Sequence, residues 1–369
     1  MDFKEFKNIL FEKALNEGFE NCEVYYTDGE NISITVYEGE VEKYNIDKSF
    51  GLSFRGMLNG KMGYSYTEIL DDKVIDMLIK SAKEAASCIE SNDIQFIYEG
   101  DKNYSEVKTY SEKLENIDAS KLIDIALELE KETKGYSDKV INLNACKISY
   151  SSSKNGIYNT KGLELNNRGN LLISYVIPIV EENNEKQDGI GYMIVDSIDE
   201  LDTKKIAKQG VEDALSKLGG KSIPSGNYKT IIYNEAMASL LETFSDVFSA
   251  EEAQRGLSLL KGKEGKVIAS DIVSIIDDPL MDNGLASAPF DDEGVATFKK
   301  EIVSKGVLNT LLHNLKTANK ANLKTTGNGF KSSYSSPVSV EPTNFYIEKG
   351  MKTLEELMNE LDEGVIITD

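Results

Sequence analysis

Carboxylates and glycines are closely interleaved in residues 277–329, and carboxylates at such spacing could bind a metal ion or move protons. Asp291, Asp292 and Glu293 stand together just before Gly294. This run lacks the spacing of an EF-hand calcium loop. Neighbouring strand residues point to opposite faces, so Asp291 and Asp292 could not readily share one proton as an aspartic dyad does. The sequence favours a turn whose carboxylates accept backbone N–H bonds over a metal or catalytic site.

Small polar residues close the same stretch, in the run Thr325-Thr326-Gly327-Asn328-Gly329. Such a run could form a nest of backbone N–H groups that binds an anion, although a tight turn is the simpler interpretation. Its residues are too small and polar for a hydrophobic core. The frequent glycines of residues 277–329 therefore predict exposed loops at the rim of a β-sheet.

Histidine occurs once among the 369 residues, at His313. A serine triad or a histidine-rich zinc site is therefore close to excluded within this sequence. We expect His313 to lie in a strand or turn and to form local hydrogen bonds. The three cysteines (Cys22, Cys88 and Cys146) form no CxxC pair, which favours reduced thiols over disulfides or a thiolate zinc site. Phosphate-binding glycine motifs are also lacking, since residues 189–191 have no third glycine.

Length and charge narrow the class of protein. A chain of 369 residues with 40% hydrophobic and 28% charged residues predicts a globular protein of two domains. The net charge of -22 repels phosphate backbones, so nucleic acid is an unfavourable partner. The amphipathic N-terminal segment has no signal-peptide core, and no apolar run reaches membrane-spanning length. We expect a cytoplasmic protein without membrane contact.

Hydrophobic periodicity predicts an α+β fold. In residues 1–220 the pattern gives helices at residues 2–18, 71–90, 118–134 and 202–218, an antiparallel meander of short strands between residues 22 and 55, and long hairpin strands at residues 140–180. Turns are expected at Gly29-Glu30 and Gly39-Glu40 of the meander. Residues 221–226 are rich in Gly, Ser and Pro and predict a linker before a second domain, residues 227–369. That domain should hold one long helix, residues 235–249, among short strands.

An ordered set of short motifs in residues 228–350 resembles the TldD/PmbA family, whose members include modulators of DNA gyrase and peptidases of the U62 class. The set comprises Arg255-Gly256-Leu257-Ser258, Gly262, residues 265–270, Asp277-Asp278, residues 290–294, Gly306-Val307-Leu308, Ala318 and residues 325–329. The first half is similar to the same family less specifically. The resemblance implies an N-terminal α/β domain and a C-terminal antiparallel, β-barrel-like domain.

The TldD branch of the family carries a zinc-binding HExxxH motif on a helix, with the glutamate as general base. Counting back from Ser258, the matching segment here is residues 241–246. Leu241 and Asp246 stand where the histidines would be. Glu242 is the remnant of the catalytic glutamate and is expected to lie buried in the helix, paired with a cation. The resemblance therefore implies the PmbA (TldE) branch, with no catalytic residue, metal or other cofactor in this chain.

The implied function is that of a metal-less subunit in a cytosolic metalloprotease complex that encloses unfolded or leader peptides. Its partner would be a TldD-like zinc protease subunit, although a homodimer is also consistent. The residues expected to contact peptide or partner are Asp291, Asp292, Thr326, Gly327, Asn328 and Gly329. Family members continue for some dozens of residues past the position of Asp369, which predicts a truncated or a short chain.

Two alternatives remain open from the sequence. One is a stand-alone peptide-binding or regulatory protein, of the gyrase-modulator or toxin–antitoxin type, without peptidase activity. The other is a hydrolase that binds a metal through carboxylates such as Glu242, Asp246 and Glu251.

Overall fold

The computed structural model of the chain describes residues 1–90 and 95–368. Residues 91–94 of the first predicted domain and Asp369, the last residue of the second, lie outside that description. The helices are α1 (Phe3–Asn16), α2 (Asp72–Ser87), α3 (Ala119–Tyr136), α4 (Thr203–Ser216), α5 (Asn234–Thr243), α6 (Ala250–Arg255), α7 (Leu315–Ala321) and α8 (Leu354–Leu361). Within the described residues, none of them is both long and apolar enough to cross a membrane.

The strands are divided between one large sheet and several small ones. They are β1 (Asn21–Tyr37), β2 (Glu40–Leu58), β3 (Lys61–Thr67), β4 (Val140–Asn159), β5 (Glu164–Glu182), β6 (Glu185–Asp188), β7 (Gly191–Val195), β8 (Thr230–Ile232), β9 (Ile275–Asp277), β10 (Lys300–Ser304), β11 (Val307–Leu308), β12 (Gly329–Phe330), β13 (Ser339–Val340), β14 (Phe345–Ile347) and β15 (Val365–Ile367). The predicted α+β class is confirmed, because helices and antiparallel strands occur in both halves of the chain, residues 1–220 and residues 227–368.

The large sheet is a seven-stranded antiparallel layer in the order β3-β2-β1-β4-β5-β6, with β7 also paired to β5. The predicted turn at Gly39 is confirmed, since Glu38 and Gly39 both have positive φ. The predicted turn at Gly29 is wrong, because Gly29 lies inside the 17-residue strand β1, opposite Ser49 of β2. A Cβ at position 29 would lie 3.1 Å from the Ser49 hydroxyl, so this glycine reflects close packing of strands.

Two pairs of helices cover this sheet and bury its apolar residues. Leu10 of α1 and Leu78 of α2 pack in one hydrophobic cluster. Leu129 of α3 and Ile206 of α4 pack in another, against Ile148 of β4. All five side chains have 5% exposure or less. The apolar helix faces that the sequence periodicity predicts are therefore the faces that form the core.

The second half contains a four-stranded antiparallel sheet in the order β11-β10-β9-β14. Two further pairs lie beside it: β12 with β13, and β15 with β8, the latter in parallel. The barrel-like description implied for this half is not confirmed, because the described strands form an open sheet and separate pairs. The linker and domain limits predicted around residues 221–226 remain a prediction.

The single long helix predicted for residues 235–249 is wrong. Helix α5 stops at Thr243, a 3₁₀ turn follows at Ser245–Phe248, and Ser249 then caps α6 by accepting a hydrogen bond from the N–H of Glu252. Serine and aspartate favour caps and turns over helix interiors. The break also lets Phe248 enter the core of the second half, where it is 7% exposed.

Gly63 of β3 provides a test of how closely α2 packs on the sheet. A Cβ at this position would lie 1.9 Å from the carbonyl oxygen of Ala82 in α2, so Gly63→Ala must push the helix away. We expect this substitution to lower the free energy of unfolding by about 1–3 kcal/mol, measured by urea denaturation. Gly135→Ala in α3 is the matched control, since its Cβ would meet open space and should stabilise by up to about 1 kcal/mol. Equal unfolding midpoints for Gly63→Ala and the wild type would contradict the described contact.

Candidate functional site

The segment expected to match a zinc motif, residues 241–246, straddles the end of α5. Leu241 is half-buried against the core of the second half, whereas Glu242 and Asp246 are exposed. Positions 241 and 246 do not share one continuous helix, because α5 ends at Thr243. The expectation that Glu242 is buried beside a cation is wrong, since the residue faces solvent.

The carboxylates proposed as an alternative metal site do not converge. Glu251 lies on α6 and is 3.7 Å from the amine of Lys316. Across residues 1–90 and 95–368, no group of three His, Cys, Asp or Glu side chains is arranged to hold a metal ion. The arrangement of Glu242, Asp246 and Glu251 therefore gives that alternative no geometric support.

The acidic turn, Asp291-Asp292-Glu293-Gly294, is buried rather than exposed at a rim. Asp291 is 0% exposed, and one of its oxygens accepts hydrogen bonds from the N–H groups of Glu293 (3.0 Å) and Val295 (2.9 Å). Its other oxygen accepts from the N–H of Gly329 at 2.9 Å. The predicted turn with carboxylates that accept backbone N–H bonds is thus confirmed, while the predicted exposure is wrong.

Residues 326–329 pack directly against this turn, so their predicted place at the surface is also wrong. Thr326, Gly327, Asn328 and Gly329 are all buried. A Cβ at Gly329 would lie 2.6 Å from a carboxylate oxygen of Glu293, which leaves room for glycine only. The small size of these residues, which suggested a surface loop, instead allows two loops to pack closely in the interior.

Asn328 connects this loop to a buried ion pair. Its side-chain N–H group donates to Asp277 at 2.8 Å, and its side-chain oxygen accepts from the amine of Lys300 at 3.1 Å. Lys300 and Asp277 are themselves 2.8 Å apart, and both side chains are almost fully buried. Burial lowers the pKa of Lys300, and the charge of Asp277 opposes that shift. The pair therefore depends on exact mutual placement of β9, β10 and the Asn328 loop.

His313 lies immediately before α7 and is 3% exposed. Its backbone N–H donates to the Thr326 hydroxyl at 2.6 Å, so it helps to fix the same loop. The two residues are 13 positions apart in the sequence, so this hydrogen bond is not the local one that we predicted for His313. Burial lowers the pKa of the imidazole, and the charge of Glu264 opposes this. The only histidine of the sequence is thus a buried structural residue.

A second charged group joins the acidic turn to the large sheet. Arg55 of β2 donates from Nε to Glu23 of β1 at 2.5 Å, and its charge acts on Glu293. Lys331 donates from Nζ to the Ser53 hydroxyl at 3.0 Å, and its backbone N–H donates to Asp292 at 2.9 Å. These cations come from distant parts of the sequence and were not predicted as site residues.

Burial sets the protonation of this group. It raises the pKa of Asp292 to about 6, and it also raises the pKa of Glu293. The pKa of Asp291 is raised by burial and, in addition, by the negative charge of Glu293. Burial, followed by the charge of Arg55, lowers the pKa of Lys331 to about 8. The interface between the two halves is therefore a buried polar layer in which burial disfavours the charged forms of Asp291, Asp292, Glu293 and Lys331.

Two contacts from residues 101–104 complete the attachment of the acidic turn. The Tyr104 hydroxyl donates to the carbonyl of Gly294 at 2.8 Å, and Asp101 accepts from the N–H of Ala296 at 2.8 Å. An open groove of about 630 Å³ lies elsewhere, between β4, β5 and the 283–287 loop. Its walls include Ser152, Ser153 and Asn167. The acidic turn and this groove are therefore separate features of the described structure.

Replacement of Lys300 should show the dependence on the buried ion pair. We expect Lys300→Met to lower the free energy of unfolding by about 3–5 kcal/mol, because Asp277 is left buried without its cation. The control is Lys299→Met, whose side chain is 57% exposed and pairs with Asp278, and which should cost about 1 kcal/mol or less. Chemical denaturation measures both; equal effects would show that Lys300 is not in a buried pair.

The raised pKa of Asp292 gives a pH dependence with a defined sign. The folded state holds this proton more tightly than the unfolded state, so the contribution of Asp292 to stability falls as pH rises from about 4 through 6. A shift from 3.8 to about 6 corresponds to on the order of 3 kcal/mol. Relative to the wild type, Asp292→Asn should become more stable between pH 4 and 7. Asp138→Asn, at an exposed carboxylate, is the control, and a flat difference for Asp292→Asn would refute the buried charge.

Comparison with known proteins places the chain. Family models described as PmbA/TldA metallopeptidase domain 1, central domain and C-terminal domain match residues 22–86, 112–218 and 225–369. A solved Thermotoga maritima protein, described as a modulator of a DNA gyrase, is 31% identical, with 100% of this chain and 82% of that chain covered and a TM-score of 0.91.

Two further proteins extend the comparison. TldE from Thermococcus kodakarensis has the same fold at a TM-score of 0.85, with 20% identity over 98% of this chain and 82% of that one. A metalloprotease of Methanocaldococcus jannaschii is 25% identical over 96% of this chain and 79% of its own length. The resemblance inferred from the motifs is confirmed: the chain belongs to the PmbA/TldD family.

Proposed function

We propose that the chain is the metal-less subunit of a TldD/TldE-type cytosolic metalloprotease complex and holds peptide substrates for a zinc-bearing partner. The observation that carries this proposal is the side-chain chemistry of residues 241–246. Leu241 has no atom that binds zinc, and Asp246 lies beyond the end of α5 rather than on its face. Zinc peptidases of this type need two imidazoles on one helix face.

His313 offers no substitute ligand. It is the only histidine in the 369 residues, and it is buried next to the Thr326 loop. A zinc ligand must reach the metal and, in a catalytic site, leave a position open to water. The relatives named as metalloproteases motivate the partner: a paralogue with an intact HExxxH motif would supply the metal that this chain lacks the residues to bind.

The open groove supports a role in holding peptides. Its volume of about 630 Å³ accommodates several residues of an extended chain, and the Ser152 and Ser153 hydroxyls in its wall can bond to backbone N–H and C=O groups. Contacts to backbone groups are tolerant of sequence, which suits unfolded or leader peptides.

The residues first predicted to contact peptide or partner take a different part in this proposal. Asp291, Asp292, Thr326, Gly327, Asn328 and Gly329 lie behind the surface. They would act as positioning residues that hold the two halves in register, so that the groove and the partner-facing surfaces keep their shape. Direct contact would come from residues of the groove instead.

The test is reconstitution with a paralogue that carries HExxxH. The purified chain alone should contain no stoichiometric zinc and cleave no unfolded peptide, whereas the mixture should co-purify and cleave in a chelator-sensitive way. Glu242→Gln in this chain should leave the activity of the mixture unchanged, because Glu242 is an exposed remnant. The same glutamate-to-glutamine change in the paralogue should abolish it.

The alternatives predict different outcomes of the same experiment. Stoichiometric zinc in the chain alone, or activity lost in Glu242→Gln, would overturn the metal-less role. Peptide binding by a homodimer that does not associate with the paralogue would favour the stand-alone regulatory protein.

A further inference from the structure

A small cavity of about 120 Å³ lies where the two halves of the chain meet. Arg55 and Tyr64 of the large sheet form one wall, and Glu293, Leu315 and Lys316 of the second half form another. Val338 closes it near the exposed Pro337. The cavity is separate from the open groove between β4, β5 and the 283–287 loop, and the proposed peptide-holding role does not use it.

Arg55 supplies an unmet hydrogen-bond donor at this cavity. The residue is 6% exposed, and its Nε is engaged by Glu23 at 2.5 Å. Its Nη2 is buried and has no hydrogen-bond partner among the residues that the structure describes. Arginine has five N–H donors and cannot lose its proton to relieve burial. The charge of Glu23 also raises the pKa of Arg55. A guanidinium in this position is suited to an acceptor from outside the chain.

Charged side chains of both signs line the cavity. Arg55 and Lys316 are cationic and Glu293 is anionic, and Glu23 and Glu251 pair with the two cations from outside the lining. The acceptor is therefore selected by the unmet donor of Arg55 and not by a net charge. Glu293 accepts from the N–H of Leu315 at 2.7 Å and is not a hydrogen-bond partner of Arg55 Nη2 in the part of the chain that the structure describes. Lys316 is only loosely held, with Glu251 3.7 Å from its amine. Its charge is therefore available at the mouth of the cavity.

The volume of the cavity and its apolar wall indicate what the ligand carries besides the acceptor group. A volume of about 120 Å³ equals roughly four water molecules of about 30 Å³ each, which is the scale of one small residue. Leu315 and Val338 provide apolar surface beside the cations. A carboxylate pairs with arginine through strong charge-assisted bonds, and a short alkyl group would cover the apolar wall.

We propose that this interdomain cavity binds the carboxylate of a small aliphatic acid, either free or as the C-terminal residue of a peptide. Arg55 and Lys316 bind the carboxylate, and Leu315 and Val338 contact the alkyl group. The peptide form rests on the proposed peptide-holding function, whereas the free acid does not. A bound acid would also link the two halves, because its contacts come from both.

The test uses three probes in ligand-observed NMR titrations of the full chain: isobutyrate, the tripeptide Ala-Ala-Val and its C-terminal amide. We expect a Kd of about 1 mM for a carboxylate of this size. Val338→Phe, which fills the cavity, should abolish it, and Lys316→Gln should weaken it by roughly fivefold. The control is Lys324→Ala, an exposed lysine away from the cavity, which should change nothing. These variants avoid Arg55, whose loss would leave Glu23 buried and unpaired.

The outcomes separate the sources of the carboxylate. Binding of the tripeptide but not of its amide assigns a peptide C-terminus, and binding of isobutyrate alone assigns a free acid and leaves the peptide-holding role to its own experiment. Equal binding of acid and amide, binding that survives Val338→Phe, or no binding of any probe would overturn the site and leave a cavity filled with water only.

Discussion

Burial of the acidic turn, Asp291-Asp292-Glu293-Gly294, is the constraint on which the rest of the structure depends. Three adjacent carboxylates in an interior would be strongly destabilising without compensation. The chain compensates with backbone donors: Asp291 accepts from Gly329, Asp292 accepts from Lys331, and Glu293 accepts from Leu315. Gly329 and Lys331 lie on one short segment around β12, and Leu315 is the first residue of α7. The turn can be buried only if those loops arrive together, and this requirement accounts for the small residues of the Thr326–Gly329 loop.

The same constraint explains why the contact between the halves is polar. The hydrophobic cluster at this interface is small and includes Leu163 and Phe290. The polar contacts are more numerous: the acidic turn and the residues just after it interact with Tyr104, Asp101, Arg55 and Lys331. Hydrogen bonds have narrow distance and angle requirements, while apolar contact is non-directional. A polar layer therefore fixes the mutual orientation of the two halves more narrowly than an apolar one of equal area would. The large core clusters lie within each half and stabilise the layers separately.

Sequence periodicity predicted the helices that cover the large sheet, because burial of Leu78 or Leu129 is decided by spacing along one helix. It could not predict burial of the acidic turn, because that is decided by partners far away in the chain. Lys331 and Ser53 are 278 positions apart, and Tyr104 and Gly294 are 190 apart. For this reason local composition predicts that Asp291 and Asn328 lie at the surface.

The break after Thr243 was not predicted for a similar reason. The apolar stripe of residues 235–249 continues through the break, and only the packing of Phe248 requires the chain to turn there.

Residues 241–246 take no part in the hydrogen bonds that bury the acidic turn. Within residues 241–246, Glu242 and Asp246 are exposed and contribute little to the core of the second half. The buried polar layer uses other residues, on other loops. Surface positions away from caps and buried pairs tolerate substitution with small changes in stability. Leu241, by contrast, packs against that core. The buried polar layer that joins the two halves therefore does not depend on Glu242 or Asp246.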